Sequence, residues 1–299
     1  MLTPPFLKPG NKVAIVSTAR KISTEELQPF LNLLKSRNLI PVLGETIGAE
    51  DHQFAGNDKL RAQDFQKALD AEDIRAIWCA RGGYGTIRMV DSLDFSNFKK
   101  KPKWIIGYSD VTVLHSHVHR LGIESLQANM AMEMDQKTEA TRTSCFQVLF
   151  GKKYSLLYAS EDKMNTKGKA RGQLVGGNLS ILYSMLGSPS AISTDGKILF
   201  IEDLDEYLYH IDRMMQNLKR NGLFRNLNGL VVGGMNDMND NDIPYGKTAE
   251  EIIKETASEF DFPVAFGCPS GHIQDNRALI FGRTVSFEVK DKEVCLDFD

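Results

Sequence analysis

In the stretch WIIGYSDVTVLHSHVHRLG, residues 104–122, an apolar run stops at Gly107, Ser109 follows two residues later, and the pattern then turns helical. A serine at such a junction has two uses. It caps the helix, because a hydroxyl oxygen accepts a hydrogen bond from the unpaired N–H groups of the first turn. Or it is a nucleophile held up on a tight strand-to-helix turn. The preceding run reads as a buried strand, so the turn lifts the hydroxyl above the sheet edge, where open α/β sheets bind ligands. A helix starting near Asp110 also aims backbone N–H groups at an oxyanion. The motif is G-x-S-D, a relative of the G-x-S-x-G elbow of α/β-hydrolases and not that elbow itself.

Other residue types suit the same chemistry. ARGGYG, residues 80–85, follows another apolar run. Its glycines suggest phosphate binding, but Arg88 stands where a dinucleotide fingerprint has its third glycine. Glycine also lets an N–H approach a reacting carbonyl closely, so Gly83 is a candidate second oxyanion donor beside the Asp110 amide; the alternative is a plain tight turn. In LFIEDLDEYLYHIDRM, residues 199–214, Glu202 and Asp203 end a β-like run and are either caps or the carboxylate of a triad. Successive strand residues face opposite ways, so only one of them can aim at a given imidazole; Asp203 is placed to cap the helix that follows. His115 and His119 are spaced i, i+4, but without H-E-x-x-H they read as ordinary helix histidines, and no metal is expected. His272, in GCPSGHIQDN (267–276), lies in a Gly/Pro/Ser-rich loop of the kind that positions catalytic groups.

The elements that must position these residues alternate. Strands are predicted over 12–18, 39–44, 74–80 and 103–108, with helices over 23–38, capped by Ser23 or Thr24, and over 56–73, burying Leu60, Phe65 and Leu69. This pattern gives a mostly parallel, Rossmann-like sheet flanked by helices. After residue 150 the texture changes. Residues 151–172 are polar and lysine-rich and read as a linker or surface hairpin. Short β-like runs follow at 196–203, 229–234 and 263–267, with a terminal hairpin over 283–298 turning at Lys290–Lys292. One helix over 207–222 closes on Gly222. The expected fold is α/β: residues 1–150 form an α/β domain carrying the serine, 151–172 a linker, and 173–299 a β-rich α+β domain carrying Glu202 and His272.

Composition sets the outer limits. The 299 residues are 42% hydrophobic and 25% charged, with a formal net charge of −3, as in an ordinary globular protein. No basic stretch points to nucleic acid. No run reaches the roughly 18 apolar residues of a membrane span, and the N-terminus does not read as a signal peptide. The four cysteines, Cys79, Cys145, Cys268 and Cys295, are scattered, which suggests neither zinc nor disulfides and fits a cytoplasmic location.

Taken together, FAGNDKLRAQDFQKAL (54–69), IWCARGGYGTIRMVD (77–91), IIGYSDVTVLH (105–115), GQLVGGNLSIL (172–182), ILFIEDLDEYLYHIDRMMQNL (198–218) and VAFGCPSGHIQDNRALIFG (264–282) resemble the LD-carboxypeptidase family. These serine peptidases include muramoyltetrapeptide carboxypeptidase and the microcin C self-immunity peptidase. The resemblance implies a catalytic triad of Ser109, Glu202 and His272, with the amides of Gly83 and Asp110 as oxyanion donors. It implies release of a C-terminal D-amino acid from a murein-derived peptide through an acyl-enzyme, with no cofactor and no metal, by a homodimer. Arg81, Arg213 and Asn178 become candidates for holding the terminal carboxylate. Two alternatives remain: a microcin-type amidase acting on aminoacyl-nucleotide conjugates, which needs a pocket aromatic to stack on a base, and a non-catalytic binding relative. The chain departs from the family at QANM (127–130), where a Gly-Pro pair is common, and at NRALIFG (276–282).

Overall fold

The computed structural model describes residues 1–298. The chain begins as β1 (Lys12–Val16), α1 (Thr24–Ser36), β2 (Ile40–Leu43), α2 (Asp58–Asp70), β3 (Ile74–Cys79), α3 (Ser96–Lys100), β4 (Trp104–Gly107), α4 (Thr112–Arg120), β5 (Ser125–Gln127) and α5 (Glu139–Leu149). It continues as β6 (Ser155–Ala159), β7 (Gly168–Asn178), α6 (Leu179–Ser184), β8 (Ile198–Leu204), α7 (Leu208–Arg220), β9 (Gly229–Asn236), α8 (Ala249–Ala257), β10 (Val264–Ala265), β11 (Leu279–Phe281), β12 (Thr284–Val289) and β13 (Glu293–Phe298).

Two sheets result. The first has the order β11-β5-β4-β3-β1-β2, parallel except for β11, which runs antiparallel to β5. The second has the order β10-β9-β8-β7-β12-β13-β6; β7 to β10 are parallel, and β12, β13 and β6 are added antiparallel. β4 is buried along its whole length and β3 at every residue but Arg75, as strands covered on both faces by helices must be. β2, at an edge, is mostly exposed and carries Pro41, whose missing N–H is harmless there.

Local signals explain the helix limits. Ser23 is the N-cap of α1 and forms a reciprocal capping box with Glu26. α7 buries Ile211, Met214, Met215 and Leu218 along one stripe, each contributing roughly 1.5–3 kcal/mol. Gly222 follows it with φ +81°, the left-handed turn expected after a helix end.

Two expectations need correction. Residues 151–172 are not a free connector. Leu156 and Tyr158 alternate inward from β6, which pairs with β13, and the segment also contains the start of β7. On α2, Phe65 and Leu69 are buried as expected, but Leu60 is only half-buried and the charged Arg61 and Asp64 are buried with them. Asp64 accepts from the N–H groups of Glu45 and Thr46 and from the Thr46 hydroxyl, and Arg61 donates to Gly56 O and Asp58. Among the described residues no helix is long and apolar enough to cross a membrane.

Candidate active site

The site lies at the carboxyl ends of parallel strands from both sheets. β4 ends at Gly107, and Ser109 opens a short 3-10 turn, Ser109–Val111, that leads into α4. Ser109 has φ +57°. A non-glycine residue held there stores about 1–3 kcal/mol of strain. The turn is fixed by the Val111 N–H donating to Tyr108 O at 3.1 Å, and by Thr112 Oγ1 accepting from the Asn178 N–H at 3.0 Å. No side chain caps this turn. The Ser109 hydroxyl instead faces His272 Nε2 at 3.1 Å.

His272 is held from behind. Its Nδ1 lies 2.7 Å from Glu202 Oε2, and its own backbone N–H donates to the same oxygen at 3.2 Å. Glu202 is fully buried on β8. So close an approach of the histidine loop requires Gly271. Its φ is +111°, and an added Cβ would fall 2.8 Å from both Cβ and Oε2 of Glu202. Asn276 Oδ1 accepts from the Gly271 N–H at 2.9 Å, and its amide nitrogen donates to Asn129 Oδ1. Burial lowers the His272 pKa, but the charge of Glu202 and its hydrogen bond outweigh that, and the imidazole ends above its ordinary range.

Asp203 points away from the imidazole, as strand alternation requires. It does not cap α7. It accepts from Asn178 Nδ2, the Ser180 N–H at the start of α6, and the Leu204 N–H, all at 2.9 Å. Burial, with the Glu202 charge beside it, pushes its pKa up to about 7 against those donors. Glu206 instead pairs with His210 at 2.5 Å, and Asp205 accepts from Asn239.

The Gly82–Gly83 loop lies beside the serine. An added Cβ on Gly82 would stand 3.6 Å from Ser109 Oγ. Among the described residues, the N–H groups of Gly82 and Gly83 have no hydrogen-bond partner. The Asp110 N–H is the second of the 3-10 turn, where leading N–H groups have no intrahelical acceptor. The Asp110 side chain couples the two segments, since its Oδ2 accepts from the Thr86 N–H at 2.8 Å. Burial pushes this carboxyl up, opposed by Thr86 and Gly85.

A cleft of about 360 Å³ opens beside His272, lined by Tyr108, Met132, Glu133, Gln136, Lys137, Leu204 and Gln274. The Tyr108 ring packs 4.8 Å from that of His272, and its hydroxyl donates to Glu133 at 2.9 Å. Lys137 lies 3.6 Å from Glu133 and donates to Ile273 O at 3.0 Å. A larger hollow of about 690 Å³, lined by Asp70, Arg75 and Lys103 among others, sits at the amino ends of β3 and β4 and holds none of these groups.

The remaining candidates are more engaged. Arg81 donates to Lys21 O at 3.0 Å and lies 3.7 Å from Glu26. Arg213 lies over the Tyr209 ring at 5.1 Å. The Asn178 side chain donates to Asp203 and accepts from Ser180 and Ile181, so its amide is occupied within the protein. His115 is buried, with ring nitrogens on Ser125 Oγ and Gly107 O; burial takes its pKa down to about 4. Among the described residues, no group of three His, Cys, Asp or Glu side chains is placed to hold a metal. The sequence reading missed the Asp110 carboxylate, Tyr108, Glu133 and Asn276. Only Asn276 left a usable mark, as the last residue of G-H-x-x-x-N.

The description LD-carboxypeptidase N-terminal domain matches residues 13–128, and LD-carboxypeptidase C-terminal domain matches residues 171–287. A probable murein peptide carboxypeptidase of Bacillus subtilis is 31% identical, over 98% of this chain and 94% of that one. A murein tetrapeptide carboxypeptidase of Pseudomonas aeruginosa is 29% identical, over 93% of each. The crystal structure of muramoyltetrapeptide carboxypeptidase from Oxalobacter formigenes superposes with a TM-score of 0.88 at 27% identity, covering 96% of this chain and 98% of that one. With both halves matched in order and the serine, histidine and glutamate brought together between them, this chain belongs to the LD-carboxypeptidase family of serine peptidases.

Proposed function

We propose that this enzyme hydrolyses the bond between an L-centre and a C-terminal D-amino acid in a murein-derived peptide, with Ser109 as nucleophile, His272 as general base and acid, and Glu202 as its orienting carboxylate. The observation that carries this reading is the chain of contacts from Ser109 Oγ to His272 Nε2 at 3.1 Å and from His272 Nδ1 to Glu202 at 2.7 Å. His272 takes the hydroxyl proton as Ser109 attacks the scissile carbonyl. The amides of Asp110 and of the Gly82–Gly83 loop, Gly83 foremost, receive the oxyanion. Losing one such donor typically costs about 10²–10³ in rate. The imidazolium, stabilised by Glu202, then protonates the departing amine, and water attacks the acyl-enzyme by the reverse proton path.

Among the residues lining this cleft, Tyr108 packs on His272 and is only 4% exposed, so it has no free face for the base of a nucleotide conjugate. We place the enzyme in the cytoplasm, in keeping with four free thiols, three of them buried, and propose a homodimer on the family resemblance. The direct test is release of D-alanine from a purified murein tetrapeptide. Turnover that Ser109→Ala removes supports the reading; absence of release by the wild type, or release that survives Ser109→Ala, overturns it.

A further inference from the structure

The cations around the site are nearly all compensated. Lys21 pairs with Glu50 at 2.9 Å, Arg81 with Glu26, Lys137 with Glu133, and Arg277 with Asp275 at 2.8 Å. Arg88 is bound by Asp58, and Arg213 covers the Tyr209 ring. Arg20 is the exception. It is exposed, and among the described residues its guanidinium has no hydrogen bond, ion pair or ring partner.

Its backbone is nevertheless fixed. The Arg20 N–H donates to Gly82 O at 3.4 Å. The Ser17 hydroxyl donates to Arg20 O at 2.5 Å, and Arg20 bridges to Phe54. The side chain then lies across Gly83. A Cβ added there would fall 2.6 Å from Arg20 Nε and 2.7 Å from Cδ and Cγ, at a φ of +110°. Glycine at 83 is therefore what lets this arginine rest on the loop. The neighbouring Gly82 faces the nucleophile, with its added Cβ 3.6 Å from Ser109 Oγ. Serine and arginine thus flank one dipeptide step whose Cα atoms stand about 3.8 Å apart.

A carboxypeptidase must recognise the negative charge one residue beyond its scissile carbonyl. That carboxylate carbon lies about one peptide step from the carbonyl, which itself sits about 3–3.5 Å from the attacking oxygen. An arginine with an anchored backbone, an unpaired head group and a position over the oxyanion loop meets this requirement; guanidinium also forms two parallel bonds to a carboxylate. We propose that Arg20, rather than Arg81 or Arg213, binds the terminal carboxylate of the substrate. This inference rests on the carboxypeptidase reading given above.

The test compares a synthetic murein tetrapeptide ending in D-alanine with the same peptide ending in D-alaninamide. The wild type is expected to prefer the free acid, and Arg20→Gln to lose about 10- to 100-fold in kcat/KM on the acid, mainly through KM. Its acid-to-amide ratio should fall toward one, with Arg20→Lys between the two, while Arg81→Gln keeps the wild-type ratio. The inference is overturned if Arg20→Gln retains the acid preference, or if Arg81→Gln is the variant that abolishes it. Should the wild type cleave neither peptide, the activity reading fails and this inference falls with it. A wild type that cleaves both equally leaves the activity standing and removes Arg20's role alone.

Discussion

Replacing Glu202 by Gln probes the least visible member of the proposed triad. One oxygen of Glu202 accepts two bonds, from His272 Nδ1 and from the His272 backbone N–H. The other oxygen is buried without a hydrogen-bond partner among the described residues. A glutamine can therefore sit in two ways. With its NH₂ toward the loop it meets the backbone N–H head-on and forces the wrong imidazole tautomer, an error that costs about 10⁴ in kcat in the serine-protease template. With its oxygen toward the loop both bonds survive, and the NH₂ is buried without an acceptor at about 1–3 kcal/mol. The second pose keeps the tautomer and loses only the charge. At about 4 Å and an effective dielectric near 20, that charge is worth about 4 kcal/mol to the imidazolium, or roughly 10³ in rate. We therefore expect kcat to fall between about 10³ and 10⁴ with little change in KM. The pH profile separates the poses. In the wild type His272 must be neutral to act as base, and Glu202 holds its pKa above the ordinary range, so the acid limb of kcat/KM lies above about 6.5. With the oxygen inward, Glu202→Gln moves that limb down. The raised pKa also stabilises the fold most at low pH, a contribution lost as pH rises through the folded-state value. Steady-state kinetics across pH, with a melting curve, give all three quantities. Retention of more than about a tenth of kcat would refute the reasoning, since no triad carboxylate is so dispensable.

Ser109→Ala should abolish turnover with little loss of Tm, because the hydroxyl caps no helix and faces His272; peptide hydrolysis and calorimetry on one sample check it. Asp110→Ala should lower Tm by several degrees and kcat by about 10- to 100-fold, because the Thr86 N–H loses its buried acceptor and the glycine loop its tie to the nucleophile turn. Asp110→Asn, which keeps an acceptor oxygen, should retain most of both, as thermal melts and kcat will show. Asp205→Asn and Glu206→Gln should stay near wild type in kcat, since their carboxylates serve Asn239 and His210.

Much of this was legible because some signals are short-range. The S-x-x-E of Ser23 and Glu26 announces the start of α1 through one turn of backbone. The apolar runs of β3 and β4 require cover on both faces, and alternation shows that Glu202 and Asp203 cannot both aim at one imidazole, while the choice of Glu202 between them comes from the family resemblance. What stayed hidden depends on partners far along the chain. Asp64 looks like part of a solvated helix face, yet it satisfies N–H groups 18 and 19 residues before it. Asp203 reads as a cap for the next helix in sequence. The parallel pairing of β7 with β8, which sets Asn178 opposite Glu202, delivers it to α6 instead.

The same long-range logic explains how a histidine 163 residues from its serine is held to hydrogen-bonding distance. The chain leaves β10 in the second sheet at Ala265 and enters β11 in the first sheet at Leu279, so the intervening loop must cross between the sheets. Three apolar residues, Leu279–Phe281, give no periodicity from which to predict their sheet, yet their antiparallel pairing with β5 fixes one end of that crossing. The other end is tied by the Cys268 N–H to Val232 O and the Gly234 N–H to Ser270 O, both on β9. Asn276 braces the middle against Asn129, just beyond β5. His272 is thus positioned by both sheets at once, while Ser109 belongs to the first and Glu202 to the second. Any shift of one sheet against the other must change the Ser109–His272 or the His272–Glu202 distance, so the packing between the sheets is itself a condition of the reaction geometry.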